Sequence, residues 1–186
     1  MTAENETNPA MVRALTICQP WAWAIMYGPK RYENRGWHTD YLGPLVIHAG
    51  KSTKFMADGL KFLRSLKLDV PRDLDFGVVL GVVDMLGCVR AATTGTAGKP
   101  DPFAFGPWCH HYANPRRLTT PVPYSGRQSF FSVPRELVAE LLDGPGVVAA
   151  PANESREDRI ERAIDAAGGD RLRLASAASV KPESAL

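Results

Sequence analysis

Three stretches of the 186-residue sequence bring cationic side chains together with aromatic rings, hydroxyl groups or both. They run from residue 21 to 35, from 51 to 54 and from 116 to 127. Cationic groups contact phosphates and aromatic rings stack on bases, so this combination is typical of proteins that bind single-stranded nucleic acid. The residues that would make such contacts are therefore expected in these three stretches.

The first stretch opens with two tryptophans at the start of a predicted helix. Pro20 occupies the first turn and Trp21 follows it, while Trp23 points about 200° away around the helix. A ligand-facing Trp21 would contribute about 1 to 3 kcal/mol by stacking on a base. Packing of Trp21 in the core is the competing interpretation, because large aromatic side chains are mostly buried.

A carboxylate surrounded by cations follows in the same stretch. Glu33 and Arg35 share one face of a predicted strand, and Lys30 lies on the other face if the strand is regular. These three residues are candidates for contact with the polar edge of a base. A surface salt bridge is the alternative, although exposed ion pairs stabilise by only about 0 to 1 kcal/mol.

The second stretch, residues 51 to 54, combines two lysines with two hydroxyl groups after a predicted strand. Ser52 or Thr53 is expected to cap a helix, and backbone N–H groups at a helix N-terminus attract anions. Lys51 and Lys54 are therefore the best candidates for phosphate contact, and plain helix capping with solvated lysines is the alternative. His48, on the preceding strand, is interpreted as a core histidine.

The third stretch carries the second basic cluster. Arg116 and Arg127 are its nucleic-acid-binding candidates, with Tyr124 and Ser125 between them. Arginines that alternate with aromatic residues suit single-stranded nucleic acid. A solvated loop is the other interpretation, and the segment 121–123, with two prolines, predicts a loop there.

No metal and no cofactor are expected. Cys88, Cys109, His110 and His111 form no close ligand pair of the zinc-finger type, and neighbouring histidines on a strand point to opposite faces. The segment 93–98 lacks the Gly-Lys-Ser/Thr ending of a phosphate-binding loop. Three widely spaced cysteines indicate reduced thiols.

The elements that must position these residues are short and separated by Gly and Pro, and strands outnumber helices. Strands are predicted at 14–18, 31–34, 44–48, 77–90, 107–112 and 127–133, and helices at 19–27, from 52 or 53 onward, and at 134–142. Gly81 and Gly87 in the longest strand predict bends or bulges that curve it around a small barrel. The sequence therefore predicts an α+β fold, a compact mixed β-barrel with flanking helices.

Charge and composition divide the chain into three parts. Residues 1–12 are expected to be disordered, residues 13–143 to form one domain, and residues 144–186 to be a mobile tail with a helix at 153–167. Residues 11–143 contain 16 Lys or Arg and 11 Asp or Glu, a net charge of +5, which suits contact with a polyanion. The absence of a long apolar stretch and of a basic, apolar start predicts a cytoplasmic protein with no membrane contact.

Several blocks of the sequence, in order, are similar to those of the ASCH domain (activating signal cointegrator homology), a branch of the PUA-like superfamily. The blocks are Leu15 to Ala22, Gly28 with Lys30 and Glu33 to Arg35, Tyr41 to Lys51, and Asn114 to Arg116. The resemblance covers roughly residues 13–135. It implies a PUA-like β-barrel with a cleft facing these blocks, and contact with RNA or another nucleic acid.

The function expected first is RNA binding, with a single-stranded segment or a modified base as the partner. A hydrolase in the same cleft is the alternative that the resemblance raises. For amide hydrolysis of a modified nucleoside, Lys51 would be the base, Thr53 or Ser52 the nucleophile and Glu33 the orienting group. For cleavage of single-stranded RNA, Lys51 would stabilise the charged phosphorane with help from Tyr41 or Ser125. A third possibility is an adaptor whose tail binds a protein partner.

Overall fold

The computed structural model describes residues 10–91, 94 and 101–143. Within them the chain forms six strands and three α-helices. In chain order these are β1 (Met11–Ile17), α1 (Trp21–Met26), β2 (Tyr32–Arg35), β3 (Gly43–Ala49), α2 (Met56–Ser65), β4 (Val78–Val89), β5 (Trp108–Pro123), β6 (Phe130–Pro134) and α3 (Ala139–Leu142). The disordered N-terminus predicted at 1–12 falls almost wholly, and the helix predicted at 153–167 entirely, outside the described residues.

All six strands belong to one mixed sheet in the order β2-β5-β4-β3-β1-β6. β1 runs parallel to β3 and antiparallel to β6, and β2 runs antiparallel to β5. The predicted α+β fold is confirmed. The predicted closure into a barrel is not seen in the described part of the chain, because the strand order has two ends, β2 and β6.

The described residues divide into two compact units. The first unit comprises residues 10–29, 44–83 and 115–143, and the second comprises residues 30–43, 84–91, 94 and 101–114. β4 and β5 contribute residues to both.

The core of the first unit is built from β-branched and aromatic side chains of its strands, with the C-terminal helical turns packed against them. Burial of each such side chain stabilises the fold by about 1.5 to 3 kcal/mol relative to leaving it exposed. The buried members are Val12, Ala14, Val46, Val79, Val82, Leu118, Phe131, Val133, Val138 and Leu142.

The second unit has a smaller apolar cluster, formed by Tyr32, Ala104 and Cys109. One side chain fixes the turn before β5: the Asn34 carboxamide donates to the carbonyl of Phe103 at 2.8 Å and accepts the backbone N–H groups of Phe105 and Gly106 at 2.9 Å each. These hydrogen bonds connect β2 to the residues that precede its partner strand, β5.

Three predicted boundaries are wrong. β5 continues through the segment 121–123 that was expected to be a loop. α2 begins at Met56, and neither Ser52 nor Thr53 caps it with a side chain. The final helix is a 3-10 turn, Arg135–Val138, followed by the short α3. No helix in the described ranges is long and apolar enough to cross a membrane.

Candidate nucleic-acid interface

Two parallel strands of the first unit end side by side and place two predicted stretches close together. β1 and β3 are in register from Ala14 opposite Val46 to Ile17 opposite Ala49, and the N–H of Gly50 donates to the Ile17 carbonyl at 2.9 Å. α1 with Trp21 follows the first strand, and the 51–54 stretch follows the second. The carboxyl ends of neighbouring parallel strands are a common place for a binding site.

The 51–54 stretch is exposed throughout, so both lysines are accessible. The aliphatic stem of Lys51 lies against Gly77, where a Cβ atom would come within 2.7 Å of Lys51 Cε. Gly77 also has a φ of +67°, a conformation that favours glycine. The Lys54 ammonium lies 5.4 Å from the centre of the Phe55 ring. The two lysines are thus held on a short loop before α2 rather than at its N-terminus.

The same glycine connects this loop to the third predicted stretch. The N–H of Tyr124 donates to the Gly77 carbonyl at 3.0 Å, and the N–H of Gly77 donates to the Ala49 carbonyl at 2.7 Å. Ser125 and Arg127, which follow Tyr124, are exposed. The structure therefore brings Lys51 and Ser125 to the end of the same strand, β3.

His48 lies beneath this segment and is 1% exposed. Its Nε2 donates to the Tyr124 carbonyl at 3.0 Å, while its Nδ1 is buried with no hydrogen-bond partner among the described residues. Burial lowers the pKa of His48 below its ordinary value, and the nearby charge of Lys51 lowers this pKa further, against the opposing effect of the Tyr124 carbonyl. The interpretation of His48 as a core histidine is confirmed, but only one ring nitrogen is satisfied.

Trp21 is half-buried between α1 and α2. Its ring meets Phe62 edge-on at 5.8 Å, and a Cβ atom at Gly59 would lie 3.3 Å from it. The buried Gln19 orients the start of α1: its side chain donates to the Asp75 carbonyl at 2.8 Å and accepts the N–H of Trp23 at 3.0 Å. One side of Trp21 is therefore occupied by α2, which agrees with the core-packing interpretation for that side.

Arg116 and its neighbour Arg117 lie in β5, where they pass Gly81 of β4. The Arg116 carbonyl is close to Gly81, which also faces the Met26 side chain. The Arg117 guanidinium lies 5.2 Å from the centre of the Tyr27 ring. These arginines therefore form a basic spot with neighbours different from those of Lys51.

The carboxylate predicted among cations lies in the second unit and is mostly buried. Glu33 contacts the Lys30 ammonium at 3.3 Å and the Arg35 guanidinium at 3.3 Å, and the three side chains are 11%, 2% and 22% exposed, respectively. Lys30 also donates to the Tyr32 carbonyl. The prediction that Lys30 lies on the opposite face is wrong, because β2 begins only at Tyr32 and Lys30 precedes it.

Two residues of β5 lie close to this ion cluster. His110, opposite Glu33 in the strand register, has its pKa lowered from 6.5 to about 4, chiefly by burial. The Tyr112 hydroxyl is buried and has no hydrogen-bond partner in the part of the chain that the structure describes. Burial, and after it the charge of Glu33, raises the pKa of this phenol well above its ordinary value. Tyr41, the remaining predicted residue of this unit, is half-buried, and its N–H donates to the Thr39 hydroxyl at 3.1 Å.

Sequence reasoning missed Gly77, Gly126 and Tyr112. Gly126 stands between Ser125 and Arg127, both of which were singled out, and a glycine at such a place is the signal that could have found it. Gly77 carries no such signal, since only the fold brings it against Lys51. Tyr112 carries no local signal, since only the fold places its hydroxyl near Glu33. Across the described ranges, no group of three or more side chains is arranged to hold a metal ion.

Comparison with known proteins identifies the family of this chain. The sequence profile of the ASCH domain matches residues 15–123. Human activating signal cointegrator 1 is 32% identical over 81 residues, and its mouse counterpart is 35% identical over 81 residues. In both cases the match covers 40% of this chain and only 14% of the relative. The ASCH domain is generally linked to RNA binding. With a profile match that spans more than half of its length, the chain belongs to the ASCH domain family.

Proposed function

We propose that this chain binds single-stranded RNA at the carboxyl ends of β1 and β3. The contacting groups are Lys51, Lys54, Ser125 and Arg127, which together are called the strand-end surface. The observation that carries the proposal is that Gly77 contacts both Lys51 and Tyr124, so the loop of Lys51 and Lys54 and the segment that leads to Arg127 meet at the same glycine. The general link between ASCH domains and RNA supports it.

The chemistry of these side chains suits single-stranded RNA. Ammonium and guanidinium groups bind phosphates, and a serine hydroxyl both donates to and accepts from a base edge or a ribose 2′-hydroxyl. The exposed part of Trp21 would offer an edge for a base at the start of α1. A modified base held out of a strand would use the same groups.

The other predicted contacts receive more limited roles in this proposal. In the second unit, Glu33 holds Arg35, whose side chain is more exposed than those of Lys30 and Glu33 and would contact RNA. Arg116 would contribute a phosphate contact near α1. Each phosphate contact adds a salt-sensitive increment to affinity.

The test is a binding titration of a labelled 12-nucleotide RNA between 50 and 200 mM salt, with Lys51→Ala/Lys54→Ala compared with Lys61→Ala/Arg64→Ala. Both double variants lose two exposed positive charges, but the second pair lies on α2. The first pair is expected to weaken binding about tenfold and to reduce the salt slope by about 1.4, the value for two phosphates on a single strand.

The control pair should change affinity by less than about twofold, because charges outside the contact surface act only through a screened field. Equal losses in both variants would mean that the protein attracts RNA by net charge alone. Absence of binding to any RNA at 50 mM salt would overturn the proposed function.

Hydrolysis is the second candidate, and the shared position of Lys51 and Ser125 at the end of β3 favours it. In RNA cleavage, Lys51 would stabilise negative charge on the phosphorane and Ser125 would assist. Thr53, exposed two residues after Lys51, is the hydroxyl for amide hydrolysis. Strand integrity is followed for hours in the same assay: cleavage that disappears in Lys51→Ala and in Ser125→Ala would make the protein an enzyme.

A further inference from the structure

The hydrogen bond between His48 and Tyr124 fixes how the imidazole is protonated. A carbonyl oxygen only accepts, so the Nε2 of His48 carries the proton in the 3.0 Å bond to the Tyr124 carbonyl. In the neutral ring, Nδ1 is then an acceptor, and it is buried without a partner within the described ranges. The ring also meets Phe131 edge-on at 6.1 Å, and the Tyr124 ring stacks on Phe131 at 6.4 Å. His48 therefore joins the segment after β5 to the sheet beneath it.

Gly126 lies directly against the His48 imidazole. A Cβ atom at Gly126 would lie 2.4 Å from Cε1 and 2.6 Å from Nδ1 of His48, and 2.6 Å from the Thr16 hydroxyl. No real Cβ atom tolerates such distances from a ring and a neighbouring strand, so even a methyl group would displace the segment. Because Gly126 itself is exposed, the restriction comes from this one contact rather than from burial on all sides.

We propose that His48 and Gly126 together set the position of the 124–127 segment, and that His48 is thereby a positioning residue for RNA binding although it touches no RNA. The inference rests on the proposed function, because Ser125 and Arg127 of this segment belong to the strand-end surface. The three fixed points are the Tyr124 N–H on Gly77, the Tyr124 carbonyl on His48, and Gly126 against the imidazole.

Acid should release the segment, because a protonated His48 places a second N–H at Nδ1, which makes no hydrogen bond to any described residue. Lys51 is the charged group that acts on this imidazole, and it opposes the added proton. Thr16, Tyr124 and Phe131 supply a hydroxyl, a carbonyl and an apolar ring, respectively. The affinity for RNA should therefore fall on acidification, although added positive charge by itself would raise it.

The test compares Gly126→Ala, His48→Leu and His48→Gln in the full chain, with Gly87→Ala as the control because a Cβ atom at Gly87 meets nothing within 4 Å. Two quantities are measured: the rate of limited tryptic cleavage after Arg127, relative to cleavage after Arg64, and the affinity for the labelled RNA between pH 7 and pH 5. His48→Gln keeps a donor for the Tyr124 carbonyl but has no titrating group.

We expect Gly126→Ala and His48→Leu to increase the relative cleavage rate and to weaken RNA binding about tenfold, the size expected when one or two of several contacts are lost. His48→Gln should restore both at pH 7 and should lack the loss of affinity that the unaltered protein shows at pH 5. Gly87→Ala should behave as the unaltered protein. Rescue by glutamine together with the altered pH profile is a result that general destabilisation would not give.

The two proposals fail in different ways. Unchanged cleavage after Arg127 in Gly126→Ala would overturn the positioning role of the glycine and His48, whatever the RNA data show. Increased cleavage with unaltered RNA affinity would show that the segment is held but that RNA does not depend on it, which also overturns the inference. Increased cleavage in a protein that never binds RNA would leave the segment's attachment standing and would reject the proposed function.

Discussion

The Lys30 side chain is buried, although burial of a charged group is energetically unfavourable unless the group is paired. A buried cation is tolerated when an opposite charge and further acceptors surround it, and Glu33 and the Tyr32 carbonyl supply these here. The Phe103 ring, with its centre 5.5 Å from the ammonium, adds a cation–π contact. The sequence predicted a carboxylate among cations, with a surface salt bridge as the alternative, but it predicted neither the contact between Lys30 and Glu33 nor their burial.

Removal of the Glu33 charge is therefore expected to destabilise the fold. Glu33→Gln leaves a buried ammonium without its counter-charge, and we expect the free energy of unfolding in urea to fall by about 3 kcal/mol. Arg35→Gln is the matched comparison, because it removes the more exposed partner and should cost about 1 kcal/mol. Equal, small losses from both substitutions would show that the cluster behaves as a surface ion pair.

Among the elements, β4 shows how a glycine in a strand can serve the chain beside it. Gly81 has a φ of +156°, and a Cβ atom there would lie 2.1 Å from the Arg116 carbonyl of β5. Gly87, in the same strand, faces open space. The sequence predicted a bend or bulge at both glycines, whereas only Gly81 has a conformation and a contact that require glycine.

This difference predicts opposite results for two identical substitutions. Gly81→Ala is expected to lower the free energy of unfolding by about 3 kcal/mol or more, because overpacking and backbone strain add. Gly87→Ala should leave stability within about 0.5 kcal/mol. Denaturant unfolding followed by tryptophan fluorescence measures both, and a neutral Gly81→Ala would contradict the close approach of β5 at this point.

The element boundaries that the sequence missed have local physical causes. Pro121 and Pro123 predict a loop because proline lacks a backbone N–H. In an extended strand, however, the backbone nitrogens of residues two apart point to the same edge of the strand. One edge of β5 therefore loses donors while the other keeps them, and the strand continues to Pro123. Ser52 predicts a helix cap, but its hydroxyl instead accepts the N–H of Lys54 at 3.3 Å within the preceding turn.

For the whole molecule, the sequence predicted the α+β class and the family, because strand patterns and motif blocks are local properties that survive in one sequence. It did not predict an open strand order, since closure depends on which distant edges pair. The strand-end surface was predicted only as separate stretches. Their meeting depends on the contacts of Gly77, which link residues far apart in the chain.

The division into a domain at 13–143 and a separate tail leads to a prediction about truncation. A chain that ends at Asp143 is expected to keep the thermal midpoint of the full protein within about 3 °C and its RNA affinity within about twofold, because the core and the strand-end surface lie before that residue. Differential scanning calorimetry and the RNA titration measure the two quantities. Loss of RNA binding in the shortened chain would favour the adaptor hypothesis, in which the tail carries the function.

The pairing of β1 on both edges means that this strand can be completed only late in synthesis at the ribosome. One edge of β1 pairs with β3, but its other edge pairs with β6, where Met11 lies opposite Pro134. During translation β1 is made well before β6, so the row of backbone N–H and C=O groups of β1 that pairs with β6 stays unpaired in the meantime. An exposed strand edge is open to pairing with other chains. Nascent chains that stall before residue 130 would expose this unpaired edge of β1. Pairing with β6 therefore protects the chain against co-translational aggregation.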